Sequence, residues 1–139
     1  MSYAVELDDI SKSFGEVQAV KNVSLKIKKN EFFSLLGPSG CGKTTTLRII
    51  AGLEFPDSGR VKLNGEDVTD LPTHKRNIGM VFQTLALFPH MNVYDNIAFG
   101  LRMRKFPERE IRNRVKEMLE IVKMEGFERR KINQLSGGQ

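Results

Sequence analysis

The sequence holds a single cysteine, two histidines and no tryptophan among its 139 residues. One thiol excludes an intrachain disulfide framework and leaves no cysteine pair to ligate a metal. His74 and His90 stand apart, without the spacing that builds a zinc site, and both read as surface or packing residues. Long apolar runs are missing too. Nothing approaches the ~18 consecutive apolar residues that mark a membrane-spanning helix. The opening "MSYAVELDDI" is acidic and reads as neither a signal peptide nor an anchor. The expectation is a cytosolic chain whose membrane role, if any, comes through a partner. A strong charge imbalance is also absent. Lys and Arg (22) exceed Asp and Glu (17) by only five, much of it on solvated helix faces, so nucleic-acid binding is not expected.

What is present is the profile of a globular chain, 40% hydrophobic and 28% charged. "YAVELDDI" alternates apolar and polar residues, and so does "VSLKIKK", Val23 to Lys29. The pair predicts an antiparallel arm with one face toward solvent. "FFSLL", Phe32 to Leu36, predicts a short buried strand. A helix is expected after Gly42, with Leu47, Ile50 and Ala51 on one face and Gly52 as terminator. "RVKLNG" predicts a strand ending in an Asn-Gly turn, and "NIGMVF" another strand closing at Gln83. From Pro107 to about Met124, the residues Ile111, Val115, Met118, Leu119 and Val122 fall at helical spacing. Pro107 suits a first helical position and Gly126 a C-terminal cap. The order suggests an α/β nucleotide-binding core over residues 1–88 and a helical subdomain over 89–139.

"GPSGCGKTT" lies between the apolar run and the helix. Gly37, Gly42, Lys43 and Thr44 match G-x-x-x-x-G-K-[ST], with Pro38, Ser39, Gly40 and Cys41 between them. Glycines let the backbone curl so that successive N–H groups converge on one point. The helix starting there adds unpaired N–H groups and the positive end of its dipole. Lys43 neutralises charge on the outer phosphates, Thr44 offers a hydroxyl to Mg²⁺, and Thr45 reaches another phosphate oxygen. The Cys41 thiolate would be favoured near the helix N-terminus, although a small loop residue is the plainer reading.

A phosphate loop alone leaves kinases, GTPases, ATPases and motors open. "LSGGQ", Leu135 to Gln139, taken with the loop, resembles the ATP-binding cassette (ABC) family, whose signature motif reads the same. Gln83 in "GMVFQ" falls where that family places its Q-loop glutamine, and Phe14 in "SKSFG" where it has an aromatic that stacks on adenine. The stretch "QTLALFPHMNVYDNIAFGL" is similar to the importer branch serving polyamines, ferric iron, sulfate or maltose, with polyamine importers most alike.

The resemblance implies an α/β P-loop NTPase fold and a use for each motif. Phe14 would stack on the base with Ala19 nearby, and Lys43 and Gln83 would be catalytic. Thr44 and Gln83 would approach Mg²⁺. Ser136, Gly137, Gly138 and Gln139 would contact the γ-phosphate of ATP held by a second subunit, paired head to tail. Transmembrane permease subunits and a periplasmic or extracellular substrate-binding protein would complete the machine, at the cytoplasmic face of the membrane. The apolar residues Leu87, Phe88, Pro89, Met91, Val93 and Tyr94 would either receive a helix of the permease or pack the helical subdomain. The family's acidic Mg²⁺-holding strand end, catalytic glutamate and switch histidine have no counterpart up to Gln139. The expectations are therefore an incomplete core sheet, an unstable, rearranged or strand-swapped fragment and no hydrolysis by these residues alone. A soluble ABC ATPase of translation or DNA repair, and a non-hydrolysing nucleotide-binding module, are the alternatives.

Overall fold

A computed structural model describes every residue except Met1, Gln83 and Leu85. Two compact units divide the chain, one up to Met80 and one over Val81–Gln139.

In the first unit, β1 (Tyr3–Phe14) and β2 (Val17–Lys28) form the expected antiparallel pair, with Leu7 opposite Leu25 and Phe14 opposite Val17. β3 (Ser58–Leu63) joins the other edge of β1 and places Val61 opposite Leu7. A turn at Asn64-Gly65, with φ of 52° and 89°, leads to the short β4 (Glu66–Asp67), so the sheet order is β2-β1-β3-β4. Two positive φ values at one turn are the I′ geometry that Asn-Gly favours.

The arm is not regular. Asp9 and Asn22 take φ of 48° and 45° where the register shifts. Each is clasped by a serine of the opposite strand. Ser24 Oγ accepts the Asp9 N–H at 2.9 Å and donates to Asp9 Oδ1 at 3.1 Å. Ser11 Oγ accepts the Asn22 N–H at 2.9 Å and donates to Asn22 Oδ1 at 3.0 Å. Short polar side chains tolerate this left-handed backbone because they bond locally.

Helix α1 (Lys43–Ala51) ends as expected at Gly52, φ 72°, whose N–H returns to the helix carbonyls. Its buried face differs from the expected one. Thr46, Ile49 and Ala51 are buried, whereas Leu47 is 48% exposed and Ile50 half-buried. Ile49 joins Leu7, Ile10, Val20, Val61, Leu63 and Val68 in the unit's core. Successive helical positions differ by about 100°, so Ile49 and Ile50 present adjacent faces, and the sheet takes Ile49. Leu47 and Ile50 line a cavity of about 320 Å³ with Leu25, Ile27, Phe33 and Leu35.

The two strands expected at Phe32–Leu36 and Asn77–Phe82 are not formed. Phe32 is 95%, Leu36 91% and Val81 98% exposed. Apolar, β-prone composition supplies one half of a strand. The other half is a neighbouring backbone to pair with, and no described residue provides it.

The second unit is built on α2 (Val93–Met103) and α3 (Glu108–Ile121). Ile111, Val115 and Leu119 form the buried i, i+4, i+8 stripe of α3 and meet Val93 and Ala98 of α2. Met118 and Val122, expected on this face, are 41% and 58% exposed. Pro107 sits just before α3 rather than at its first position. The helix stops at Ile121, with Lys123 in the left-handed region (φ 57°), so Gly126 belongs to the turn beyond and not to the cap. α2 begins at Asn92, whose Oδ1 accepts the Asp95 N–H at 2.7 Å. The Asn96 amide holds the chain before it, donating to Phe88 O at 3.2 Å and accepting from Phe88 N–H at 2.8 Å.

Candidate phosphate site

Gly37, Gly40 and Gly42 carry φ of 154°, 82° and 88°, the conformations that bend residues 37–42 into a loop ahead of α1. A Cβ at Gly37 would lie 2.7 Å from Cys41 Sγ, and one at Gly42 would overlap the Ala19 carbonyl oxygen. β2 therefore passes directly behind the loop, which brings Ala19 to the site. Gly42 occupies the cap position of α1 and offers no side-chain acceptor. The first turn contains no acidic residue. Its N–H groups therefore carry no side-chain cap, an arrangement suited to an external anion. The helix starts through Gly42 O, which accepts from Thr46 N–H at 2.8 Å and Thr46 Oγ1 at 2.9 Å.

Lys43 Nζ folds back over the loop, donating to Gly37 O at 2.7 Å, Pro38 O at 2.6 Å and Cys41 Sγ at 3.3 Å. The ammonium is held where anionic oxygens would meet the loop. Thr44 is exposed and Thr45 half-buried; Ser39, Gly40 and Cys41 are exposed on the loop itself.

Phe14 ends β1 with 49% of its surface exposed, and Lys12 Nζ stands 5.5 Å from its ring centroid. Lys12 was not anticipated. The signal was available, since residues two apart on a strand share a face. Its ammonium is also paired with Glu54 at 3.2 Å and Asp57 at 3.1 Å. Asp57 in turn accepts the Ser13 N–H at 2.7 Å.

The Ser13 N–H first, and then Lys12, hold the Asp57 carboxyl below its usual range. A lowered folded-state value means that the stabilisation is complete above the ordinary carboxylate pKa of about 3.9. It is lost as pH falls through the lowered value. Asp57→Asn should therefore flatten the acid limb of a stability–pH curve from urea unfolding. An unchanged limb would exclude the linkage.

In the second unit, Ser136 and Gln139 bond reciprocally. Gln139 Oε1 accepts the Ser136 N–H at 3.0 Å, and Ser136 Oγ accepts the Gln139 N–H at 3.3 Å. This is the S-x-x-Q capping box that opens helices, with Gly137 and Gly138 as its middle residues. Sequence reading took these residues as phosphate donors and overlooked the box. Gln83 lies outside the described residues.

Arg76 was also missed. It is 4% exposed and donates to four main-chain carbonyls, those of Ile49 (2.7 Å), Ile50 (2.8 Å), Leu71 (2.8 Å) and Thr69 (3.0 Å). Two of these close the C-terminal end of α1.

An antiparallel arm beside a glycine loop, with a lysine at the first position of the following helix, defines a P-loop domain of the α/β class. The chain belongs to the ABC transporter family, whose profile matches residues 20–139. It is 56% identical over 135 residues to the spermidine/putrescine import ATP-binding protein PotA of Clostridioides difficile, covering 97% of this chain and 39% of that protein. The protein of the same name from Acidothermus cellulolyticus is 55% identical over 139 residues, with 36% of its length covered. The chain thus spans less than two-fifths of the length of these relatives. Among solved structures it resembles the dimeric ATP-binding cassette MJ0796 in a post-hydrolysis state bound to ADP and Pi. That match has a TM-score of 0.86 and 37% identity over 97% of this chain and 64% of that one.

Proposed function

We propose that this chain binds ATP as part of the ATPase subunit of a polyamine importer, working at the cytoplasmic face of the membrane. The observation that carries ATP binding is the loop itself: three positive-φ glycines, uncapped N–H groups at α1 and a lysine folded over them. Spermidine or putrescine as cargo rests on the names of the relatives matched across 97% of the chain.

Each residue has a separate task. The backbone of Gly37–Gly42 and the first turn of α1 surround the phosphates, and Thr45 adds a hydroxyl. Lys43 exchanges its bonds to Gly37 O and Pro38 O for anionic phosphate oxygens, a stronger charge-assisted contact. Phe14 stacks on the base beside Ala19. The exposed Thr44 hydroxyl suits Mg²⁺, a hard cation that takes oxygen ligands, with Gln83 as a second approach. Held there, Mg²⁺ would supply positive charge to neutralise the phosphates. The Ser136–Gln139 box uses its own two N–H groups internally and would hold the Gly137–Gly138 backbone for the γ-phosphate of a second subunit's ATP.

Head-to-tail pairing of two such subunits makes nucleotide part of the interface, so binding favours closure. The dimeric state of the cassette neighbours supports such pairing. Val93 is 5% exposed and belongs to the core, whereas Leu87 and Phe88 remain 42% and 38% exposed. Those two are offered to a permease helix, with Phe88 held in place through Asn96. A polyamine-binding protein outside the cell would deliver the cargo.

Reconstituting the full-length protein with its permease and binding protein tests the reading. Hydrolysis should rise with spermidine or putrescine. Stimulation by ferric iron, sulfate or maltose instead would reassign the substrate.

A further inference from the structure

Phe14 stands at a strand end with half its surface in solvent, a position in which an aromatic ring ordinarily samples several rotamers. Its surroundings restrict it. Lys12, two residues back on the same face of β1, brings its ammonium 5.5 Å from the ring centroid. That ammonium is fixed in turn. It is bonded to Asp57 Oδ1 at 3.1 Å and Glu54 Oε1 at 3.2 Å, and the Lys12 side chain is only 14% exposed.

Asp57 is anchored from two sides. Its carboxylate takes the Ser13 N–H at 2.7 Å, and its own N–H donates to Ser11 O at 2.8 Å. The carboxylates come from the segment between α1 and β3, so the clasp ties the end of β1 to the chain leaving the phosphate helix. Hydrogen bonding to Asp57 also raises the Lys12 pKa.

We infer that Lys12, held by Glu54 and Asp57, is a positioning residue that fixes the Phe14 ring for stacking on the nucleotide base. The inference rests on the reading of Phe14 as the base-stacking residue. The cation engages the π-electrons of the ring, limits its rotation and leaves the solvent-facing part of the ring to the base. Pre-ordering the ring removes an entropic cost that binding would otherwise carry. The consequence is selective. Lys12 should matter for ligands with a base and be indifferent to ligands made of phosphate alone.

The test compares Mg·ATP with Mg·tripolyphosphate, by calorimetric titration of the full-length protein. Lys12→Met should weaken ATP binding about 5-fold, the scale of a partly desolvated cation–π contact, and leave tripolyphosphate within about 2-fold. Lys12→Arg should restore ATP affinity. Asp57→Asn, which frees one side of the clasp without removing the cation, should give a smaller loss of the same kind and serves if Lys12→Met misfolds. Equal weakening of both ligands, or no weakening of ATP, overturns the inference. Phe14→Ala separates the two levels. If it leaves ATP binding intact while Lys43→Ala removes it, the base-stacking reading of Phe14 has failed, and this inference with it.

Discussion

Replacing Arg76 with Met should lower the stability of the folded chain by about 3–5 kcal/mol, the scale of several main-chain carbonyls losing a charged donor at about 1–3 kcal/mol each. Among the described residues, no carboxylate bonds Arg76 directly. Its charge is compensated by the carbonyl dipoles of Ile49, Ile50, Thr69 and Leu71, drawn from the end of α1 and the segment after β4. Burial pulls its pKa down, with Asp70 acting in the opposite direction.

The site is cut to fit the arginine. A Cβ at Gly52 would lie 2.6 Å from Arg76 Nε, and Thr73 Oγ1 closes the same corner by donating to Gly52 O at 2.7 Å. Methionine fills much of the volume and offers no donor, so four carbonyls lose the guanidinium, that of Ile49 in a buried bond and the other three in half-buried ones. Lysine keeps the charge but not the planar fork, and should recover roughly half of the loss. Urea unfolding of the three proteins in parallel measures this. A loss below about 1 kcal/mol for Arg76→Met would mean that water replaces the guanidinium at no great cost.

Arg76 also marks where sequence reading stops. Its partners are up to 27 positions away, and nothing in "THKRNIG" distinguishes it from the solvated cations nearby. Features that depend on neighbours in the chain were legible. The alternation in "YAVELDDI" and "VSLKIKK" gave the arm, Asn64-Gly65 the turn, and Gly37 to Thr44 the loop and the start of α1.

Features that depend on distant backbone were not legible. Phe32–Leu36 and Asn77–Phe82 have strand composition and no described strand to pair with. The face of α1 was misjudged because choosing between Ile49 and Ile50 requires knowing where the sheet lies. α2 was overlooked for a different reason. Val93, Ile97, Ala98 and Leu101 have helical spacing, but they follow Leu87, Phe88 and Met91, which obscure the period. The structure shows that Phe88 lies ahead of the helix, packed at a tilt of 47° against Phe99 with centroids 4.5 Å apart and bonded to Asn96.

The loop glycines allow the sharpest test of how the phosphate site is built. Gly40 and Gly42 have nearly the same φ, 82° and 88°, so alanine at either meets a similar backbone cost of about 1–2 kcal/mol. Their surroundings differ. Around Gly40 a Cβ would meet nothing within 4 Å, whereas at Gly42 it would overlap the Ala19 carbonyl oxygen and stand 3.5 Å from Val20 Cγ2.

A side chain can rotate away from such a contact; the backbone of β2, paired along β1, cannot. Gly42→Ala must then displace the loop or the start of α1, and both carry the N–H groups proposed to receive phosphate. Since each 1.4 kcal/mol is tenfold in affinity, Gly40→Ala should weaken Mg·ATP binding by about 10-fold and Gly42→Ala by about 100-fold or more. Titrating nucleotide into both variants of the full-length protein, after circular dichroism has established that each is folded, gives the comparison. Equal losses would mean that φ alone governs the loop, and that β2 does not brace the phosphate site through Ala19.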